Sequence, residues 1–189
     1  HGYGVIAQEV HRALPAPPTH AIVQAGVGGV ASAVAGVFWQ HYGPNRPRFI
    51  VLEPTNAACV AQSIEAGRRV VVEGDTHTAM AGLACGEVSE VAWEVLATAA
   101  DAAIVIDDDW AFAGMRRLAD PVPPDPAIIA GECAGGAVGA LLALAERPDL
   151  RAVLHLDATS RVLLVGTEGA TDPAIYEAVV GRPPSAVAA

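Results

Sequence analysis

Apolar positions along this chain fall into two kinds of pattern, short continuous runs and repeats at helical spacing. The continuous runs predict strands at residues 21–23, 48–52, 69–72, 102–106 and 161–166. The helical repeats predict helices over residues 1–14, 30–42, 59–66, 89–96, 110–118, 137–146 and 174–180. Residues 76–86 have weak periodicity, so they are predicted to form a loop with one helical turn.

This order of elements predicts the fold class. Strands that alternate with helices form a parallel sheet with helices on both faces, so we expect an α/β fold. The run at 102–106 is apolar throughout, which is typical of a strand buried on both faces. Ligands of such sheets bind at the carboxyl ends of the strands. The predicted tips at 26–29, Glu53, Asp107 and Thr167 share that edge, so we expect one pocket there.

The most informative of these tips is the glycine turn Gly26-Val27-Gly28-Gly29, which lies between a predicted strand and a predicted helix. Glycines let the backbone turn sharply and approach a ligand closely. The free N–H groups that open a helix carry a partial positive charge, which suits a phosphate. A tight strand-to-helix turn with nothing bound remains the alternative.

Composition and charge narrow the class of protein. The chain has 189 residues, is 52% hydrophobic and carries a net charge of −10, which argues against nucleic acid or an anionic membrane as a partner. Its apolar segments are interrupted before the roughly 18 residues that a membrane span needs, so we expect a cytoplasmic protein. Three separated cysteines outside any CxxC pair indicate a reducing compartment, and six scattered histidines do not suggest zinc.

The sequence allows two roles for each of two groups of acidic residues. Asp107, Asp108 and Asp109 follow a predicted strand, where they suit either Mg²⁺ binding or, as we favour, capping of the next helix. A second glycine turn, residues 131–136, contains Glu132, which is interpreted equally well as a site carboxylate or as an acid at a helix start.

The first glycine turn also fits a short dinucleotide motif. Residues 26–31 match G-x-G-x-x-A, and Glu53 ends the next strand where an acid would bind a ribose. One hypothesis is therefore a Rossmann module that binds NAD or FAD.

Longer blocks favour a different family. They are QAGVGGVASAVAG from Gln24, VLEPTNAACV from Val51, THTAMAGLACGEVSEVAWEVL from Thr76, DDDWAFAGMRRLADP from Asp107, DPAIIAGECAGGAVG from Asp125 and VGTEGATD from Val165. In this order they resemble the C-terminal half of the diaminopropionate ammonia-lyases, which are pyridoxal-phosphate enzymes of the fold-type II (tryptophan synthase β) group. The TAMAGLACGE and TEGATD blocks are the most specific to that family.

The resemblance implies roles for particular residues. Gly26, Val27, Gly28 and Gly29 match the loop whose N–H groups hold the cofactor phosphate. Thr167 matches the group placed against the pyridine nitrogen, and Glu132 is counted with the cofactor-binding residues. Cys133-Ala134 departs from the family, which tends to have serine and glycine there.

The resemblance also implies what this sequence lacks. All eleven basic residues are arginine, so the chain has no lysine to form the Schiff base and no catalytic residue is assigned in it. In the family that lysine precedes the matched part. We therefore expect residues 1–181 to be the C-terminal, phosphate-binding portion of the enzyme and residues 182–189 to be a disordered tail.

Three explanations stay open: a truncated or cleaved enzyme, one polypeptide of a split enzyme, or a relic or interaction subunit without lyase activity. The implied reaction is α,β-elimination of 2,3-diaminopropionate to pyruvate and ammonia. The expected partners are a small amino-acid substrate, the N-terminal half of the same enzyme and a second copy in a homodimer.

Overall fold

The computed structural model describes residues 2–187 and contains a four-stranded parallel sheet with the strand order β3-β2-β1-β4. The strands are β1 (His20–Gln24), β2 (Arg48–Pro54), β3 (Ala102–Ile106) and β4 (Val162–Leu164). The helices are α1 (Gly4–Ala13), α2 (Gly29–Tyr42), α3 (Cys59–Ala66), α4 (Glu90–Ala99), α5 (Asp108–Ala119), α6 (Glu132–Ala145), α7 (Pro148–Leu154) and α8 (Pro173–Val180). The expected parallel sheet is confirmed.

Alternate residues of the central strands face opposite layers of helices. Ala21 and Val23 of β1 join a core formed with α1, α2, α3 and α4. Ile22, between them in sequence, joins a second core with α6 and α7. A third, smaller core lies between α5 and α8 and includes Met115 and Tyr176. Since both faces of β1 and β2 are buried, the continuous apolar runs of these strands follow from their position in the sheet.

Two predicted strands differ in the structure. Residues 69–72 form no strand but a single antiparallel bridge between Val71 and Glu87, and Val71 is 61% exposed. The apolar run there does not pair because no neighbouring strand lies beside it within the described residues. The strand at 102–106 does form, but it lies at the edge of the sheet, with Val105 43% exposed, and is not buried on both faces.

Several helices also differ from their predicted limits. Helix α6 begins at Glu132, five positions before the predicted start, because the second glycine turn continues directly into the helix. Helix α7 was not predicted, since it is only 7 residues long and begins with a proline. The small-residue loop contains the expected helical turn, a 3-10 segment at Ala81–Leu83. The predicted first helix forms over Gly4–Ala13, and its His1 end lies outside the described residues.

The C-terminal segment has a defined conformation as far as it is described. The guanidinium of Arg182 binds the carboxylate of Asp120, Pro184–Ala186 forms a 3-10 turn, and Val187 is buried in the third core. The expected disordered tail is therefore wrong for residues 182–187, because an ion pair and an apolar anchor attach them to α5. Residues 188–189 of that predicted tail lie outside the described residues.

Candidate functional site

The first glycine turn joins β1 to α2 at the carboxyl edge of the sheet. Strand pairing continues one residue past β1, since the Ala25 N–H donates to the Leu52 carbonyl at 2.8 Å. Gly28 then adopts a left-handed conformation, with φ 89° and ψ 0°, and is the N-cap of α2. This conformation lies at the junction between the strand and the first turn of α2, whose residues Gly29 and Val30 line a cavity.

Neighbouring elements leave no room for side chains at Gly26 and Gly28 of this turn. A Cβ atom on Gly28 would lie 2.8 Å from the Cβ of Ala92 in α4, and one on Gly26 would lie 2.9 Å from the Gly82 carbonyl oxygen. The turn is also bound to α4 by a hydrogen bond from the Ser89 N–H to the Val27 carbonyl at 3.0 Å. Glycine is therefore required by packing at Gly26, and by packing and conformation at Gly28.

The N-terminus of α2 has no acidic partner. No side chain caps it, and its first turn contains no acidic residue. The N–H groups of a first helical turn have no partner within the helix and carry part of the helix dipole. A helix start of this kind suits an anion such as a phosphate.

A cavity of about 490 Å³ opens in front of these amides. Its walls come from the glycine turn, from the loop at residues 82–85, from Thr167 to Gly169 after β4, and from Gln24, Cys133 and Tyr3. The structure thus brings Thr167 and the glycine turn into one cavity, as the shared sheet edge predicts. Neither Glu53 nor Asp107 lines this cavity, so the expectation of one pocket for all four strand tips is wrong for these two. A bound group that contacts the glycine turn through an anion would extend toward Thr167.

The second glycine turn is arranged differently. The Glu168 carboxylate accepts a hydrogen bond from the Cys133 N–H at 2.9 Å, and the Gly131 N–H donates to the Glu168 carbonyl at 3.2 Å. An acidic side chain already satisfies the start of α6, so this helix end is a poor anion site. Burial, together with the nearby Glu168 carboxylate, raises the pKa of Cys133 to about 12, so this cavity-lining thiol is neutral.

The comparisons with known proteins agree with this geometry. The family described as pyridoxal-phosphate dependent enzymes matches residues 1–168. The chain belongs to this family of enzymes. Its relatives include the diaminopropionate ammonia-lyases of Escherichia coli K12, 39% identical over 99% of this chain and 48% of the relative, and of Salmonella typhimurium LT2, 41% identical over 95% and 47%.

A solved structure extends the likeness to three dimensions. The E. coli diaminopropionate ammonia-lyase in complex with an aminoacrylate-PLP azomethine reaction intermediate has a TM-score of 0.87 and 38% identity, covering 95% of this chain and 47% of that one. The expected fold-type II architecture and the resemblance to one half of this lyase are confirmed. The chain spans about half the length of the curated relatives it matches.

The residues of this pyridoxal-phosphate enzyme fit the cofactor of its family. Uncapped amides suit the phosphate, and the lack of side chains at Gly26 and Gly28 lets the turn that carries them pack closely against the loop at residue 82 and against α4. The cavity also holds a buried hydrogen-bond acceptor without a partner among the described residues, Oε1 of Gln24. Such an acceptor is costly to bury unless a ligand or water supplies a donor.

Glu132 occupies a different place from the one expected of a cofactor-binding residue. It is the first residue of α6 and is buried, but the residues that line the cavity are its neighbours Cys133 and Glu168. Burial raises the pKa of Glu132, and the charges of Glu168 and Asp172 add to this effect. The structure therefore supports the interpretation of Glu132 as an acid at a helix start.

The Glu53 carboxylate is not available to bind the hydroxyls of a ribose. Its side chain has 0% exposure, and its two carboxylate oxygens accept hydrogen bonds from the Val60 N–H at 2.8 Å and the Ala61 N–H at 2.7 Å. Burial raises its pKa to about 7, although these two donors act in the opposite direction. The dinucleotide hypothesis loses its acidic residue, since that carboxylate already binds the start of α3.

The acidic run after β3 acts as a helix cap. Asp107 accepts a hydrogen bond from the Trp110 N–H at 3.3 Å, and Asp108 accepts one from the Ala79 N–H at 2.8 Å and another from the Thr78 hydroxyl. Within residues 2–187, no group of three His, Cys, Asp or Glu side chains is arranged to hold a metal ion. The favoured interpretation of Asp107 as a cap is confirmed.

Several residues of the site were not predicted from the sequence, among them Gln24, Glu168 and Tyr3. Gln24 is a polar residue at the end of an otherwise apolar strand, and this break in the pattern was the only available signal. Tyr3 approaches the turn from α1, with its ring 3.7 Å from the position of a Cβ on Gly29. Among the described residues, no helix is long and apolar enough to cross a membrane.

Proposed function

We propose that this chain is the phosphate-binding part of a pyridoxal-phosphate ammonia-lyase that acts on 2,3-diaminopropionate. The observation that carries the proposal is the uncapped N-terminus of α2, which shares a cavity with Thr167. The 39–41% identity to two diaminopropionate ammonia-lyases supports the choice of reaction.

In this proposal each cavity wall has a separate task. The backbone amides of residues 26–29 bind the cofactor phosphate, and the left-handed Gly28 keeps them pointed at it. The Thr167 hydroxyl, which lines the cavity, would hold the pyridine nitrogen and favour the neutral ring. The cofactor itself supplies an electron sink for the loss of a proton from Cα and of the β-amino group. The β-amino group leaves as ammonia, and water then hydrolyses the remaining aminoacrylate to pyruvate and a second ammonia.

The lysine that holds the cofactor is proposed to come from a segment outside this sequence, because all of its basic residues are arginine. The partners are then the lysine-bearing half of the enzyme, the amino-acid substrate and a second copy in a homodimer, and the site of action is the cytoplasm. Alone, the chain is expected to release no pyruvate.

The test is reconstitution with a lysine-bearing half of a diaminopropionate ammonia-lyase. The mixture, supplied with pyridoxal phosphate, should gain the visible absorption of lysine-bound cofactor and release pyruvate from 2,3-diaminopropionate. Omission of either half is the control. A stable complex of the two halves without cofactor absorption or pyruvate would contradict the proposal and favour a non-catalytic interaction subunit.

A further inference from the structure

The side chain of Gln24 connects two separate segments that border the cavity. It is 6% exposed at the end of β1, and its side-chain Nε2 donates to two backbone carbonyls, those of Cys133 and Val165, each at 2.9 Å. The first carbonyl belongs to the opening turn of α6. The second lies two residues before Thr167, just beyond the end of β4.

These two contacts fix the orientation of the amide. If the group were flipped, its oxygen would face two carbonyl oxygens, so both N–H donors must point at them. The remaining atom, Oε1, is buried and has no hydrogen-bond partner among the described residues. It is thus an acceptor in a residue that lines the cavity.

The position of Gln24 connects the two ends of the site. It lies two residues before Gly26, where the phosphate-binding turn begins, and it is bonded to the segment that leads to Thr167. The β1–β4 pairing ends at Ile22–Leu164, so the Gln24 amide continues the connection between these two chain segments beyond the ladder. The separation of the turn from the Thr167 segment therefore depends on this side chain.

We propose that Gln24 is a positioning residue: its two hydrogen bonds hold the segment that leads to Thr167 at a fixed separation from the glycine turn, so that Thr167 can meet the ring of a vitamin B6 phosphate bound by that turn. This inference rests on the proposed function, because it assumes that the cavity binds such a ring by its phosphate. It goes beyond that function because it gives Gln24, a residue outside the glycine turn and Thr167, a part in placing the ring of the ligand.

Two ligands distinguish the phosphate end of the site, at the glycine turn, from the ring end, at the Thr167 segment. Inorganic phosphate probes the glycine turn alone. Pyridoxine 5′-phosphate probes the turn and the ring end together, and it has no aldehyde, so its binding needs no lysine. Dissociation constants of both are measured by calorimetry for the unsubstituted chain and for Gln24→Met, which keeps the length of the side chain and removes its donors and its acceptor.

The matched control is His20→Met, at the other end of the same strand. His20 is also buried and bonds a backbone carbonyl, that of Leu154, at 2.9 Å, but it does not line the cavity. Gln24→Met should weaken pyridoxine 5′-phosphate about tenfold and inorganic phosphate less than about twofold, whereas His20→Met should leave both affinities within about twofold.

The other outcomes overturn the inference. Equal weakening of both ligands would mean that Gln24 merely supports the turn, and unchanged affinity for pyridoxine 5′-phosphate would mean that it does not position the ring. Failure of the unsubstituted chain to bind either ligand would instead contradict the proposed function itself.

A second measurement does not depend on the folding of a variant. In the unsubstituted chain, pyridoxine 5′-phosphate should shift the side-chain amide NMR resonances of Gln24, because its ring contacts the Thr167 segment that this amide holds, and inorganic phosphate should not. Identical shifts with the two ligands, or none with either although both bind, would overturn the inference.

Discussion

The Glu168 carboxylate lies 2.9 Å from the backbone nitrogen of Cys133 and accepts its hydrogen bond. This contact joins the segment after β4 to the first turn of α6. Two glycine-rich helix starts face the cavity region, and Glu168 satisfies only one of them, so the uncapped start of α2 is the better place for an anion.

Replacing Glu168 tests this division of roles. Glu168→Ala should lower the free energy of unfolding by about 1 kcal/mol, as loss of a helix cap does, because the Cys133 N–H loses its acceptor. The measurement is urea unfolding followed by circular dichroism. Glu177→Ala, which removes an exposed glutamate of α8, is the control and should have a smaller effect. Equal effects of the two changes would contradict the capping role of Glu168.

A substitution at Gly28 should destroy the anion site directly. Gly28→Ala introduces a Cβ 2.8 Å from that of Ala92 and 3.0 Å from Cδ1 of Leu96, at a residue with φ 89°. We expect it to destabilise the chain by about 1–3 kcal/mol and to abolish phosphate binding, since the backbone must shift. Calorimetry with inorganic phosphate gives the binding result.

The matched control for Gly28 lies in the same helix. A Cβ on Gly36 of α2 would meet nothing within 4 Å, so Gly36→Ala should stabilise the helix by up to about 1 kcal/mol and leave phosphate binding unchanged. Phosphate affinity that survived Gly28→Ala would refute the assignment of the turn as the anion site.

Local patterns were sufficient to predict much of the site. The glycine turn was recognisable because its spacing and its position between a strand and a helix are properties of adjacent residues. The shared pocket with Thr167 followed from the rule that parallel strands end at one edge. Neither inference required knowledge of which side chains touch.

The contacts of Gln24 and Glu168 could not be predicted in the same way. Gln24 bonds residues 109 and 141 positions away, and Glu168 bonds one 35 positions away, so no local pattern records these pairs. The run at 69–72 shows the converse limit, since it is apolar enough for a strand but has no partner strand beside it in the part of the chain that the structure describes. The intrinsic strand propensity of such a segment produces a strand only when a neighbouring strand is placed to pair with it.

Glu53 should make stability depend on pH. Its pKa is about 7 in the folded chain against 4.5 for the free group, so between these values the folded state keeps a proton that the unfolded state releases. The stabilisation is therefore complete below about pH 4.5 and is lost as pH rises to about 7, a change on the order of 3 kcal/mol.

Comparison with a variant isolates this contribution. The difference in unfolding free energy between the unsubstituted chain and Glu53→Gln should shrink as pH rises from 4.5 to 7, measured by urea unfolding at each pH. Glu65→Gln, at an exposed position on α3, the helix whose start Glu53 binds, is the control and should give a constant difference. A constant difference for Glu53→Gln as well would refute the raised pKa.

Helix α6, which carries the cavity residue Cys133, crosses α5 in close contact, and this crossing provides a last test. Gly114, Gly135 and Gly139 let the two backbones approach so closely that a Cβ on Gly139 would clash with the backbone carbonyl of Trp110. Gly139→Ala should destabilise the chain by about 1–3 kcal/mol, more than the gain in helix propensity, because α6 must move away from α5.

Since α6 also carries the Cys133 carbonyl that Gln24 bonds, its displacement should weaken pyridoxine 5′-phosphate binding as well. Urea unfolding and calorimetry report the two effects, with Gly36→Ala as the matched alanine control. A higher urea midpoint for Gly139→Ala would show that this close crossing is not required.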